Sequence, residues 1–241
     1  MKIGIISDIH GNLEALRSVY TALDDLDCGY LVCLGDIVGY GPSPNECVDL
    51  VRERCDAVLM GNHDCATVGQ MDIAYFNPYA REALFWTRSQ LSKENFNFLR
   101  DLPLTCERDS AIFVHSTPFQ PHMWHYVVTP SDAMFQLAYF DQQVCFIGHS
   151  HQPLMLSFES ETTCRLHAGE VTMEPEVRYL VNVGSVGQPR DGIPDSCFAV
   201  FDEEQSLIRL YRQPYAVGKT QEMMRKSGIH PFLIERLEYG R

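Results

Sequence analysis

The chain is short of positive charge and has no long apolar run. Lysine and arginine number 19 against 32 aspartate and glutamate residues, so the formal net charge is −13. A strongly acidic surface repels the phosphate backbone of long nucleic acid, and we expect no such partner. One lysine and a short apolar stretch, Ile3–Ile6, precede Ser7-Asp8. This stretch is too short for a signal peptide or a membrane span, so it predicts a first strand and no membrane partner.

Paired cysteines are also lacking. The nine cysteines are an odd number with no Cys-x-x-Cys pair, and several, such as Cys33 and Cys145, sit inside apolar runs. Reduced thiols in the core of a cytoplasmic protein explain this usage. Repeats, low-complexity tracts and long linkers are absent from the 241 residues. We therefore predict one domain over residues 1–241, with a helical C-terminal segment at about 217–241.

Five short apolar runs each lead directly into a polar group. The runs resemble strands buried on both faces, and α/β sheets place their ligand chemistry just beyond the carboxyl ends of such strands. The runs are Ile3–Ile6, Leu31–Leu34, Ala57–Met60, Ala111–Val114 and Val144–Ile147. The polar groups that follow them are Asp8-x-His10, Gly35-Asp36, Gly61-Asn62-His63-Asp64, His115 and Gly148-His149-Ser150-His151.

The residue types in these groups suit divalent metal ions. Two carboxylates, one amide and four imidazoles offer oxygen and nitrogen donors without thiolate: Asp8, Asp36, Asn62, His10, His115, His149 and His151. Such a mixture fits Mn²⁺, Fe²⁺, Zn²⁺ or Ni²⁺, with Mn²⁺ favoured, and contains too much histidine for a Ca²⁺ site. Seven donors are too many for one ion with open positions. They suit two ions, roughly 3.5–4 Å apart, that share a bridging carboxylate. His63 is left over and could act as an acid.

In this order the five groups resemble the motifs of the calcineurin-like metallophosphoesterases, from residue 2 to about residue 190. The resemblance implies a first metal on Asp8, His10 and His151, a second on Asn62, His115 and His149, and Asp36 as the bridge. It also implies that His63 is the catalytic histidine and that Asn12 supports the site. Asp64 is adjacent to His63, but adjacency alone leaves open which residue orients this histidine. The implied reaction is in-line attack on a phosphoester by a metal-bridging hydroxide, with His63 protonating the leaving oxygen.

The stretch Asn182–Arg190 further resembles the compact bacterial and archaeal branch of this family. That branch implies a phosphodiesterase or a diadenosine tetraphosphatase-like hydrolase of a small phosphoester or nucleotide. Family members that act on phosphoproteins follow their Gly-Asp with a further Asp-Arg-Gly, whereas this chain has Gly39-Tyr40-Gly41. Phosphomonoesterase or protein phosphatase activity is therefore the alternative. A protein-binding scaffold without catalysis is another, although His63 and all seven donors are retained.

Four further residues are candidates for substrate binding, each with a structural alternative. Arg190 could bind phosphate as a bidentate fork or pair with a surface carboxylate. Gly184 and Ser185 could present backbone N–H groups to phosphate or only form a tight connection. Trp124 could stack on a base or serve as a hydrophobic lid. His122, His125, His167 and His230 stand outside the motifs and are interpreted as ordinary surface or loop histidines.

Strand–helix alternation followed by a strand-rich half predicts an α/β fold. An apolar stripe of Leu13, Leu16, Val19, Tyr20 and Leu23 indicates a first helix. Further helices are expected after Pro42–Pro44, near Tyr79–Leu91, Lys93–Leu102 and Pro130, and from Val217 with an interruption at Gly228. Turns are expected at Asp191-Gly192 and Asp202–Gln205. The family resemblance implies a four-layer sandwich, in which helices flank two mixed β-sheets and a dinuclear metal site lies at the strand ends.

Overall fold

The computed structural model describes residues 1–160 and 162–241, and at Tyr75 the backbone alone. Its twelve strands are β1 (Lys2–Ile6), β2 (Tyr30–Cys33), β3 (Ala57–Val58), β4 (Thr105–Arg108), β5 (Ala111–Val114), β6 (Val144–Ile147), β7 (Leu154–Ser160), β8 (Thr163–Leu166), β9 (Glu170–Thr172), β10 (Arg178–Asn182), β11 (Ser196–Asp202) and β12 (Leu207–Gln213). They form two six-stranded mixed sheets. The first has the order β3-β2-β1-β11-β12-β9, and the second has the order β4-β5-β6-β10-β7-β8.

Eight α-helices flank the sheets in the described residues. They are α1 (Leu13–Asp25), α2 (Pro44–Arg54), α3 (Asn62–Thr67), α4 (Pro78–Gln90), α5 (Lys93–Arg100), α6 (Pro130–Gln136), α7 (Val217–Lys226) and α8 (Pro231–Tyr239). The predicted apolar stripe of α1 is buried along its whole length. Gly228 lies between α7 and α8 with a φ of +72°, a left-handed conformation that suits the end of a helix.

The apolar residues pack in layers. Side chains from the inner faces of both sheets, such as Ile5 and Phe146, form one cluster between the sheets. A second cluster lies between the first sheet and the helices that cover it, and includes Leu16 and Val48. A third joins the second sheet to α6 through residues such as Ala133. Two mixed sheets between helical layers confirm the predicted four-layer sandwich.

Strand direction decides where the site forms. β1, β2 and β3 run parallel in the first sheet, and β5, β6 and β10 run parallel in the second. The polar residues that follow these strands therefore collect at one end of each sheet. The two ends meet, because the backbone N–H of His149 donates to Oδ2 of Asp8 over 2.9 Å.

Several predicted boundaries differ from the structure. The strand expected at Ala57–Met60 is only Ala57–Val58, because the N–H of Met60 bonds to the carbonyl of Pro103 and leaves the sheet. The segment that follows is the short helix α3, which is not among the predicted helices. β4 was not predicted, since Thr105–Arg108 alternates exposed and half-buried side chains without a strongly apolar face.

Other expectations concern the whole chain. None of the helices in residues 1–160 and 162–241 combines the length and the apolar character needed to cross a membrane. All nine cysteines are free thiols. A single domain over residues 1–241 and a cytoplasmic location stay predictions.

Candidate functional site

The backbone at the strand ends adopts a conformation that residues with side chains rarely take. Asp8, His10, Asp36, His149 and His151 all have φ between 51° and 66°. Such left-handed residues are destabilised by on the order of 1–3 kcal/mol each and persist where the surrounding structure holds them. Here the loops hold one another, because the N–H groups of Asp8 and His10 donate to the carbonyls of Gly35 and Asp36. The backbone strain therefore coincides with the residues predicted to be metal donors.

Asp8, His10, Asp36 and His151 form a first buried group, with one potential donor atom from each lying within 4.8 Å of the others. The Nδ1 atoms of His10 and His151 donate to the carbonyls of Val38 and Gln188 over 3.2 and 2.6 Å. In a neutral imidazole the other nitrogen then carries only a lone pair. The two Nε2 atoms nevertheless face each other at 3.1 Å. Two lone pairs in this arrangement repel each other unless a cation lies between them.

A metal ion fits this arrangement better than a shared proton. Burial, together with the nearby charge of Arg190, lowers the pKa of His151 to about 4, so this histidine is neutral near pH 7. Oδ1 of Asp8 lies 3.2 Å from Nε2 of His151 and is buried without a hydrogen-bond partner among the described residues. One unpartnered carboxylate oxygen beside two bare imidazole nitrogens is the donor set of a divalent cation.

The second group consists of Asp36, His115 and His149, again buried and with potential donor atoms within 4.8 Å of one another. Nε2 of His149 donates to the carbonyl of Trp124 over 3.0 Å, which leaves its Nδ1 as the potential metal donor. Oδ1 of Asn62 lies 3.3 Å from Nε2 of His115. All seven predicted donors are therefore brought together.

Asp36 stands between the two groups. Its Oδ2 lies 3.6 Å from Nε2 of His10 and 3.5 Å from Nε2 of His115, and its Oδ1 accepts the N–H of His63 over 2.7 Å. Burial, reinforced by the charges of Asp8 and Asp64, raises the pKa of Asp36 well above its ordinary value. Positive charge beside this carboxyl group would oppose the shift and favour its ionised form. Two divalent cations would supply that charge, so the residues fit the metals that the sequence predicts.

His63 is buried beside both groups and belongs to neither. Its ring lies 4.5 Å from that of Tyr40, 5.0 Å from Phe76 and 4.8 Å from His10, measured between centroids. Its Nδ1 has no hydrogen-bond partner in the described part of the chain, and a Cβ added to Gly39 would lie 2.7 Å from this atom. Ring packing thus holds the imidazole, and Nε2 is the nitrogen left to reach a ligand in the adjoining cavity.

Asp64 does not orient His63. Its carboxylate accepts the backbone N–H groups of Gly61, Ile37 and Val38 over 3.1, 3.3 and 3.1 Å. Burial raises the pKa of Asp64 to about 7, although these hydrogen bonds oppose the shift. The residue ties the start of α3 to the loop after β2 and supports the site through the backbone.

Asn12 also joins separate segments. Its Nδ2 donates to the carbonyl of Gly187 over 2.9 Å, and its Oδ1 accepts the N–H of Ala15 and the hydroxyl of Thr220 over 3.2 and 2.9 Å. It thereby caps α1 and ties the loop after His10 to α7. Through these bonds Asn12 could support the site as predicted.

We expect Asn12→Ala to lower the free energy of unfolding by about 2–4 kcal/mol, because a helix cap is lost and two buried polar groups lose their partner. Denaturant unfolding followed by circular dichroism measures this change. Asn77→Ala is the matched control, since the exposed Asn77 caps α4 through one bond to the N–H of Ala80. An equal loss in both variants would show that the additional bonds of Asn12 contribute nothing.

Among the predicted substrate residues, Arg190 has the most suitable environment. Its Nη2 donates to Oε1 of Gln188 over 2.8 Å, while its Nε is buried without a partner in residues 1–160 and 162–241. Within the same residues, no carboxylate lies within 4.0 Å of its guanidinium, so a surface ion pair does not occupy it. Arg190 lines the cavity beside the metal donors and can therefore reach a bound anion.

Of the two alternatives for Gly184 and Ser185, the hydrogen bonds favour the tight connection over phosphate binding. Both are buried, and the N–H of Gly184 donates to Oδ1 of Asn182. The Ser185 hydroxyl donates to the carbonyl of Asp8 over 2.8 Å. The next two N–H groups, of Val186 and Gly187, bond to the carbonyls of Ser7 and Asp8. The turn is therefore a tight connection that supports the loop after β1, and the N–H groups of Gly184, Val186 and Gly187 are already used.

A cavity of about 960 Å³ opens next to the metal donors and His63. Trp124 is only 8% exposed and forms part of its wall, and its predicted roles, a hydrophobic lid or a stacking surface for a base, both stay predictions. Sequence reasoning missed Tyr40, Phe76 and Tyr126, whose rings surround His63 and His149. Only the departure at Tyr40 from the Asp-Arg-Gly pattern could have pointed to one of them.

In the residues that the structure describes, the four remaining histidines belong to neither group of potential metal donors. His122 and His125 are exposed, although His122 lines the cavity. His167 bonds to the hydroxyl of Ser157, and His230 accepts the N–H of Phe232 at the start of α8.

Comparison with known proteins agrees with this geometry. Residues 1–206 match the family model described as the calcineurin-like phosphoesterase superfamily domain. An uncharacterized protein of Methanocaldococcus jannaschii is 40% identical over 244 residues, which cover 99% of this chain and 98% of the relative. A crystal structure of a metallophosphoesterase from Sphaerobacter thermophilus is 37% identical, with a TM-score of 0.89 and coverage of 100% of this chain and 99% of that one.

A hypothetical protein from Pyrococcus horikoshii OT3 is more distant in sequence. Its crystal structure is 18% identical, with a TM-score of 0.81 and coverage of 100% and 98% of the two chains. This similarity extends the fold, including the C-terminal helices beyond residue 206, to a diverged sequence.

Proposed function

Because this chain belongs to the calcineurin-like phosphoesterase superfamily, we propose that it is a divalent-metal-dependent hydrolase of a small phosphodiester. The observation that carries the proposal is the pair of bare Nε2 atoms of His10 and His151, 3.1 Å apart beside the unpartnered Asp8 oxygen, with His63 next to them. Asp8, His10 and His151 would hold one metal, Asn62, His115 and His149 the other, and Asp36 both. Mn²⁺ is the favoured ion.

Two bound divalent ions would neutralise phosphate oxygens and lower the pKa of the attacking water. The guanidinium of Arg190 binds another phosphate oxygen and fixes the orientation of the ester. Nε2 of His63 donates a proton to the leaving oxygen, while Tyr40 and Phe76 keep its ring in place. Burial, with the charge of Arg190, lowers the pKa of His63 well below its ordinary value. A bound phosphate anion opposes this shift and favours the protonated acid.

A diester suits this site better than a monoester. Near neutral pH a monoester carries about 1.5–2 negative charges, whereas a diester carries about one. Gly39 and Tyr40 stand where phosphoprotein phosphatases have an aspartate and an arginine. Arg190 is then the one arginine that lines the metal end of the cavity in the described residues. Fewer cations around the phosphate favour the less charged ester.

The test is turnover of bis(4-nitrophenyl) phosphate by protein reconstituted with Mn²⁺, followed by exhaustive chelation. We expect hydrolysis that is lost with the chelator and returns when Mn²⁺ is added. Turnover that survives chelation would contradict the metal dependence. Reconstituted protein without turnover of any diester or monoester would favour the protein-binding scaffold, and faster turnover of phosphopeptides than of diesters would favour a protein phosphatase.

A further inference from the structure

We infer that the substrate carries a single phosphate group with an ester substituent that contains an aromatic ring, and that this ring lies on one apolar wall of the cavity. We call this wall the apolar floor, and it consists of Met60, Cys65, Met71, Leu102, Leu104 and Trp124. The inference rests on the proposed function for the position of the phosphate and adds the chemistry of the group bonded to it.

The apolar floor is a separate hydrophobic cluster that faces open space. It shares no residue with the cluster between the sheets and contacts the cluster outside the first sheet through Leu102, and all six members line the cavity. Met71, Leu102 and Leu104 are only partly buried. Apolar surface in a pocket of this volume gains stability when a ligand covers it, and 960 Å³ is within the size of small-molecule sites.

The floor begins close to the predicted metal donors. The Trp124 ring lies 5.9 Å from the His115 ring between centroids, and Met60 comes two residues before Asn62. A ring attached to a metal-bound phosphate therefore reaches the floor without a long spacer. Thioether sulfurs make favourable contacts with aromatic rings, and Met60 and Met71 place two of them on this surface.

The charges along the cavity argue against a chain of phosphates. Beyond Arg190, the charged residues that line the cavity are Asp72 and Arg100. The Arg100 guanidinium is engaged by Asp101 through bonds of 2.9 and 3.1 Å, and Asp72 adds negative charge. Successive phosphates would meet apolar side chains and a carboxylate. The nucleotide-polyphosphate alternative therefore fits this cavity less well than a single phosphoester.

Binding tests the inference without turnover. We expect Mn²⁺-loaded protein to bind phenylphosphonate at least about tenfold more tightly than methylphosphonate, because only the first covers the floor. Isothermal titration calorimetry measures both dissociation constants. Met71→Gln should reduce this preference at least about threefold, with Leu104→Gln as a second variant should the first fail to fold. Met134→Gln is the matched control, since Met134 is partly buried against a different cluster.

Equal affinity for the two phosphonates, or a preference that both floor variants leave unchanged, would overturn the inference. Neither result would affect the proposed function, which chelator-sensitive turnover tests. A preference for phenylphosphonate without any turnover would instead support binding at the apolar floor and contradict the proposed enzymatic function.

Substrate pairs then distinguish the source of the ring. Bis(4-nitrophenyl) phosphate and methyl 4-nitrophenyl phosphate share a leaving group and differ in the other substituent. We expect kcat/KM to favour the aromatic diester about tenfold or more in the wild type, with the ratio reduced in Met71→Gln. If thymidine 4-nitrophenyl phosphate is turned over faster than both esters, the ring is a nucleobase. If it is turned over more slowly than the bis-aryl ester, the ring is a plain aryl group. Dinucleoside tetraphosphate as the best substrate would refute the single-phosphate inference.

Discussion

Asp36→Asn is expected to lower kcat at least about 100-fold and to reduce the metal content of the reconstituted protein below two ions per chain. Oδ2 of Asp36 is the carboxylate oxygen that faces His10 and His115 at once, at 3.6 and 3.5 Å. An asparagine keeps one oxygen but loses the negative charge that two neighbouring cations require. Elemental analysis after removal of free metal, combined with steady-state kinetics, measures both effects.

The control is Asp141→Asn, which removes an exposed carboxylate outside the site. It should retain two metals and wild-type turnover. If Asp36→Asn also retained two tightly bound ions, the carboxylate would not be the bridge. Full activity in Asp36→Asn would show that the Asp36 carboxylate is not required for catalysis.

His63→Ala is expected to keep both metals and to lose about 10²–10⁴-fold in kcat on diesters with a poor leaving group such as phenolate. The loss should be much smaller for the corresponding 4-nitrophenyl esters, because nitrophenolate leaves without protonation. The reason is the position of His63, which is packed against Tyr40 and Phe76 and belongs to neither group of metal donors. Kinetics on the matched phenyl and nitrophenyl esters gives the ratio.

His122→Ala provides a histidine control on the same cavity, since His122 is exposed there. It should change neither the metal content nor the ratio between leaving groups. Loss of metal in His63→Ala would make the residue a ligand. Equal losses of kcat on both leaving groups, with both metals retained, would show that His63 is not the acid.

The sequence was most informative at the strand ends, where potential metal donors directly follow parallel strands. Each strand before a donor is a short apolar run, and parallel strands bring their carboxyl ends together, so Asp8, Asp36 and His149 could be placed at one site without a structure. Their left-handed φ values could not be foreseen, because the order Asp-x-His carries no signal for backbone strain. α3 was not predicted, because its six residues are too few to show an apolar stripe.

The surroundings of the site were less predictable. Met60, Met71 and Leu104 come from three segments, and each alone resembles an ordinary core residue. Their common exposure to one cavity arises from tertiary packing. For the turn at Gly184 the sequence left two alternatives open, phosphate binding and a tight connection. A glycine-rich stretch after a strand could present free N–H groups, yet the N–H of Gly184 bonds to the Asn182 side chain, and those of Val186 and Gly187 bond to the loop after β1.

The predicted metal donors come from both sheets, and this has a consequence for the folded state as a whole. Asp8, Asp36 and Asn62 follow strands of the first sheet, whereas His115, His149 and His151 follow strands of the second. Ions held in common would act as a cross-link between the two halves, closing a loop between His10 and His151, which are 141 positions apart. A covalent link across a loop of that length stabilises by on the order of 4–5 kcal/mol through chain entropy. Catalysis and global stability would then depend on the same atoms, and selection on one would constrain the other.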